Sequence, residues 1–172
     1  AGGVGGAKLA DGLAHVLQDV SVIVNTGDDF EHFGLWISPD LDTVCYNLAG
    51  IENEQTGWGR AGESWETLQE IQVLDGPDWF KLGNRDLATH LERTRRLDAG
   101  EKLHEITARF CAAWGVEAQV FPMSNAPVPT MVSTQWGEIS FQRYFVELAC
   151  EPVVSGFRFA GVEESRPAPG VI

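Results

Sequence analysis

Asp28, Asp29, Asp40 and Asp42 place four carboxylates close together near the start of the chain. Hard oxygen ligands of this kind suit Mg2+ beside substrate phosphates, and a carboxylate there can equally orient a hydroxyl nucleophile. The plainer alternatives are a solvated loop for Asp28-Asp29 and a helix N-cap for Asp40 after Pro39. Upstream, Ala1-Gly2-Gly3-Val4-Gly5-Gly6-Ala7-Lys8 fits a phosphate loop, because glycines let backbone amides approach an anion where a helix begins. It lacks the third glycine of G-x-G-x-x-G and the Lys-Ser/Thr ending of a P-loop, so a tight turn without a ligand stays open. Further on, Lys81 precedes a helix start, and Arg85, Thr89 and Arg93 fall on one helical face, where two cations and helix N–H groups can embrace an anion. Arg85-Asp86 also reads as an ordinary charged first turn, and His90 as a surface or satisfied core residue. Cys45, Cys111 and Cys150 form none of the paired spacings of zinc or redox sites, and are expected to be reduced and mostly buried.

The elements that must hold these groups are legible from periodicity. Leu9, Leu13, Val16 and Leu17 recur at helical spacing, and Val20 to Asn25 then reads as a buried strand. Glycine loop, helix and strand make half of a Rossmann-like unit, with Asn25 to Asp29 at the carboxyl end of the strand, where open α/β sheets hold ligands. A short helix is expected from Asp40 to Leu48, closed by Gly50. Three more are expected at Glu63–Leu74, Asp86–Leu97 and from Leu103 to Trp114, ended by Gly76-Pro77, Gly100 and Gly115. Val116 to Phe121 resumes as strand, and Met131–Thr134 with Ile139, Phe141 and Phe145 reads as a hairpin around Trp136-Gly137. The expectation is one Rossmann-like α/β domain over residues 1–172, with a mostly parallel sheet, a β-hairpin, and a helical insertion over 51–115. Because Ala1 stands directly in a glycine loop and the chain stops in a Pro-rich stretch, truncation at both ends is expected.

With 172 residues, 44% of them hydrophobic, the chain can build one real core. Twelve basic residues against 25 acidic ones give a net charge of −13, which disfavours nucleic acid as a partner. No apolar run approaches the roughly 20 residues needed to cross a bilayer, and no leader-like segment opens the sequence, so a cytoplasmic protein without a membrane partner is expected.

Several segments taken together carry a resemblance: Gly2 to Lys8, Val24-Asn25-Thr26-Gly27-Asp28-Asp29, Ser38-Pro39-Asp40-Leu41-Asp42-Thr43-Val44, Trp58-Gly59, Lys81-Leu82-Gly83-Asn84-Arg85-Asp86, Ala88-Thr89-His90, Phe121-Pro122-Met123-Ser124, Phe141-Gln142 and Glu151-Pro152. In order and spacing they resemble the 2-phospho-L-lactate transferases over nearly the whole chain. The resemblance implies a Rossmann-like, Mg2+-dependent, dimeric enzyme of coenzyme F-420 biosynthesis. Such an enzyme moves a phospho-lactyl or phosphoenolpyruvyl group from a guanylyl-activated donor to the ribityl hydroxyl of the deazaflavin 7,8-didemethyl-8-hydroxy-5-deazariboflavin, and GMP leaves. It further implies Asp42 and Lys81 as first choices for the deazaflavin, with Arg85, Thr89 and His90 beside them. Asp40 and Asp28 would serve the metal or the attacking hydroxyl, with Asp42 and Asp40 the catalytic carboxylates. Gly2, Gly3, Gly5 and Gly6 with Lys8 and Asn25 would face the donor phosphates. Two other readings are a nicotinamide-dependent oxidoreductase, resting on the glycine-rich opening, and a non-catalytic nucleotide-sugar-binding regulatory protein with a related fold.

Overall fold

A computed structural model describes residues 1–172. The chain opens in helix α1 (Gly3–Val16), followed by strand β1 (Ser21–Val24) and a tight hairpin of β2 (Phe30–His32) and β3 (Leu35–Ile37). Helix α2 (Pro39–Leu48) follows, then α3 (Glu66–Val73), α4 (Asn84–Asp98) and α5 (Leu103–Ala113). Strand β4 (Gln119–Pro122) leads to a hairpin of β5 (Thr130–Thr134) and β6 (Gly137–Ser140), a π-helical turn over Arg143–Glu147, and strand β7 (Val154–Phe159). No helix is long and apolar enough to cross a membrane.

The expected α/β class holds, and its parallel part is β1 paired with β4, Val22 facing Val120 and Val24 facing Pro122. Parallel pairing is confined to these two strands; β2 with β3 and β6-β5-β7 are antiparallel. The β2–β3 hairpin and β7 were not expected from the sequence, and Phe141 and Phe145 lie beyond the end of β6, in the turn that follows it. The glycine run is also not a loop, since Gly3 to Gly6 form the first turn of α1.

The core explains why these segments fold where they do. Ala7 and Ala10 from α1, Val22 and Val24 from β1, Leu41, Val44 and Cys45 from α2, Leu103 and Cys111 from α5, and Val120 from β4 form one buried cluster. The two alanines let α1 pack closely against α2, and the alternate residues of β1 point into the cluster as a period of two requires. Residues 51–115 contain α3, α4 and α5, and α5 packs directly on β4. A smaller cluster of Phe30, Ile37 and Leu82, flanked by Trp79 and Phe80, fixes the segment that leads into α4.

Helix α4 receives its cap from a distance. The Glu63 carboxylate accepts the backbone N–H of Arg85 at 2.7 Å and of Asp86 at 2.8 Å, two donors that the first turn cannot satisfy internally. Gly83 lies so close to this carboxyl that a Cβ there would fall on it. Gly83→Ala is therefore expected to expel the cap and to destabilise the fold about as much as Glu63→Ala does, by about 1 kcal/mol as for other lost caps. Urea unfolding of the two single variants and the double variant checks this: the double variant should lose no more than either single one.

Candidate active site

The loop after β1 and the first turns of α2 and α4 converge on one cavity of about 570 Å³. Its lining combines Asp28, Asp40, Asp42, Asp86 and His90 with the aromatic side chains of Trp58, Trp79, Phe80, Tyr46, Phe141 and Phe145, and Lys81 also lines it. Phe145, on the π-helical turn, stacks in parallel with Phe141 just before it, the ring centres 5.6 Å apart at 9°.

Asp40 joins three elements. Its Oδ1 accepts the Gly3 N–H at 2.6 Å, and its Oδ2 accepts the side-chain amide of Asn25 at 2.9 Å. Asn25 is oriented in turn because its Oδ1 accepts the Gly27 N–H at 3.0 Å. A carboxylate of the chain thus stands at the start of α1, where the helix dipole favours negative charge. Gly2 is required for this approach, since a Cβ there would sit 2.6 Å from Asp40 Oδ2. Asp40 does not cap its own helix; Pro39 opens α2, and Ser38 is buried with its hydroxyl turned to Asp29 Oδ2 at 2.8 Å. Burial, then the charge of Asp40, pushes the Asp28 carboxyl up to about 6. Burial likewise pushes Asp29 up to about 8, against hydrogen bonds from Ser38 and Trp36 that favour its charged form.

Asp42 belongs to a second, deeper network. Both of its oxygens accept from the Arg93 guanidinium, Oδ2 from Nη1 at 3.1 Å and Oδ1 from Nη2. Burial opposes the charge on Arg93, but the Asp42 carboxylate outweighs it and holds the guanidinium above its ordinary value. Arg93 Nη1 also donates to His90 Nδ1 at 3.2 Å, which leaves the ring proton on Nε2, 3.4 Å from Asp86 Oδ1. The Tyr46 hydroxyl donates to Asp86 Oδ1 at 2.7 Å and lies 2.9 Å from Thr89 Oγ1. Burial works against ionised Asp86, yet His90, Tyr46 and Arg93 together hold it below the usual carboxylate range.

The expected residues therefore divide. Gly3, Asp28, Asp40, Asp42, Lys81 and His90 line the cavity, with Asn25 and Gly2 fixed against Asp40 and Thr89 buried beneath it through Tyr46. Gly5, Gly6, Lys8 and Arg85 do not line it: Lys8 is on the exposed side of α1, and the exposed Arg85 donates to the Ala61 carbonyl at 3.1 Å. Arg93 is neutralised by Asp42 and is not free to embrace an external anion, and Asp86 is part of the buried network rather than an ordinary charged turn. The sequence reading missed Tyr46, Asp86 and the role of Arg93. The signal was present, because Asp86, Thr89, His90 and Arg93 stand at i, i+3, i+4 and i+7, the spacing of a buried helical face occupied here by polar residues.

Asp42, Asp86 and His90 bring three possible metal-ligand atoms within 4.8 Å of one another. Arg93 already supplies a cation to Asp42 there, and Tyr46 occupies Asp86, so this trio fits a divalent ion poorly. Asp28 and Asp40 are the alternative pair: both face the cavity and offer oxygens alone, which Mg2+ prefers, and Asp40, although it accepts from Gly3 and Asn25, is not neutralised by a guanidinium as Asp42 is.

Comparison with known proteins places this architecture. The chain is 44% identical to a phosphoenolpyruvate transferase of Streptomyces griseus, 42% to one of Streptomyces coelicolor and 40% to one of Thermobifida fusca, all of this chain being covered in each case. It spans only 56 to 58% of those relatives' length. Among solved structures, a UPF0052-family protein of Bacillus halodurans shares the fold, with a TM-score of 0.59 at 14% identity over 98% of this chain and 51% of the other. The profile of 2-phospho-L-lactate transferase CofD matches residues 1–172 from end to end, and the chain belongs to that family.

Proposed function

We propose that this chain forms the acceptor side of a transferase that moves a phosphoenolpyruvyl or phospho-lactyl group from a guanylyl-activated donor to the ribityl hydroxyl of a deazaflavin, with GMP leaving, in coenzyme F-420 biosynthesis. The observation that carries the reading is one cavity whose lining combines aromatic rings with carboxylates. Flat rings such as Trp58, Trp79 and Phe145 suit a planar heterocycle, and the Asp28 and Asp40 carboxylates suit a hydroxyl that must lose a proton as it attacks phosphorus. Family membership and the transferase relatives support this chemistry over an oxidoreductase or a nucleotide-sugar sensor.

In this reading Lys81 binds the acceptor by its charge, Asp42 is presented to it in a fixed orientation by Arg93, and His90 and Thr89 hold the frame beneath. Asp28 and Asp40 would hold Mg2+, which when bound neutralises charge on the phosphoryl oxygens. A carboxylate of this pair accepts the hydroxyl proton. Positioning and charge neutralisation are most of what such a transfer requires of a protein. The active enzyme is a cytoplasmic homodimer in this reading, and Gly2, Gly3 and Asn25 reach the donor phosphates only through the Asp40 carboxylate they hold.

Fluorescence titration of the deazaflavin with Mg2+ present tests the assignment on the acceptor side. Lys81 is exposed and pairs with no carboxylate of the chain, so Lys81→Ala should leave thermal stability unchanged. It should weaken the deazaflavin about 10-fold, the scale of one charge-assisted hydrogen bond. Binding of equal strength in Lys81→Ala would remove Lys81 from the acceptor site, and no saturable binding by the parent chain would remove the site itself.

A further inference from the structure

Two thiols that the transfer chemistry does not use meet inside the core. Cys45, in the middle of α2, and Cys111, in the last turns of α5, are both buried, and their Sγ atoms are 3.6 Å apart across 66 residues of chain. Each sulfur is the other's side-chain partner, and the third cysteine, Cys150, is exposed elsewhere. A disulfide requires the sulfurs to close to about 2.05 Å, a movement of roughly 1.5 Å that side-chain rotation and a slight approach of two packed helices can share.

We propose that Cys45 and Cys111 are a modification site, a dithiol that a hydroperoxide converts to an internal disulfide tying α2 to α5. The thiolate sulfur of Cys111 attacks a peroxide oxygen, the O–O bond breaks, and the departing hydroxide takes up the proton the Cys111 thiol released and leaves as water, giving a sulfenic acid on Cys111. The sulfur of Cys45 then attacks Cys111 Sγ, the S–O bond breaks, and hydroxide leaves with the Cys45 proton as a second water. Two thiols and one hydrogen peroxide thus yield one disulfide and two waters. The asymmetry of the pair suits this order. Either sulfur can donate across this contact; with the proton on Cys45, that bond lowers Cys111 below the ordinary thiol value and, together with burial, raises Cys45. Because Cys45 lies one turn beyond Asp42 on the same helix, the cross-link would tether the element that carries Asp40 and Asp42.

The test is chemical and does not depend on any assigned substrate. Folded Cys150→Ser protein retains two of the three cysteines; it is treated with hydrogen peroxide, unfolded, and titrated for free thiols. The titre is expected to fall from two to zero and to return with dithiothreitol, and unreduced peptides containing Cys45 and Cys111 should appear joined, two hydrogens lighter than their sum. The same peptide analysis on the unaltered chain covers the case in which Cys150→Ser does not fold. Retention of both thiols at a peroxide dose that consumes Cys150 in the unaltered chain would overturn the proposal. So would Cys111 accumulating as a sulfinic acid without joined peptides.

Discussion

Arg93→Met is expected to destabilise the fold by about 3–5 kcal/mol, the cost of removing one partner of a buried ion pair. The methionine fills most of the volume and keeps the contact over Phe110, which the guanidinium now makes at 5.9 Å, so the loss isolates the charge. What remains is the Asp42 carboxylate, 6% exposed, with its principal donors gone, and a His90 Nδ1 without the N–H it accepts. Asp42→Asn alone leaves the opposite fault, a buried guanidinium facing an amide. The double variant Asp42→Leu with Arg93→Met has neither charge and should recover at least half of the loss, since an apolar replacement of a buried pair is often near neutral. Denaturant unfolding of Arg93→Met, Asp42→Leu and the variant that combines them measures the coupling. Additive losses would mean that the pair does not act as a unit.

The second large effect is expected at Asp40. Asn has one acceptor oxygen where the carboxylate has two, so its NH2 must face either the Gly3 N–H or the Asn25 amide. Turning Asn25 over to supply an oxygen would break its bond from the Gly27 N–H. One charge-assisted bond is therefore lost whichever way the amide lies, about 2–3 kcal/mol, with the start of α1 released. Amide exchange should rise first at Gly3 to Gly6, before the rest of α1, and any stabilisation by Mg2+ should disappear in the same variant. Unchanged exchange over that turn would show that α1 is held by its packing on α2 alone.

How much of this was readable in advance depended on the range of the interaction. Helices α2, α4 and α5 were visible because helix-forming runs end at Gly50, Gly100 and Gly115, each with positive φ. The β2–β3 hairpin was not, because its strands are three residues long and its two-residue turn uses Phe33 at φ 56 before Gly34 at φ 71, a demanding conformation for a phenylalanine. Strand β7 was hidden by composition: Val154 is out of phase with Phe157 and Phe159, Ser155 and Gly156 interrupt the run, and Phe157-Arg158-Phe159 alone is too short to read as a strand. At the site, the carboxylates stood out by type and spacing, and so did Lys81. The destination of Asp40 did not, because only the folded chain brings Gly3, Asn25 and Asp40 together. The aromatic walls come from positions 58, 79, 80, 141 and 145, which no local pattern connects.

The ring of contacts from Asp42 through Arg93 and His90 to Asp86 and Tyr46 also limits how the chain can vary. Any route from this pair to an uncharged one passes through an intermediate with a single stranded charge and a large loss of stability. A library that randomises position 42 or position 93 alone should return almost only the parental residue. Only joint randomisation of both can reach the neutral solutions, so the variation tolerated at one position is decided by what stands at the other.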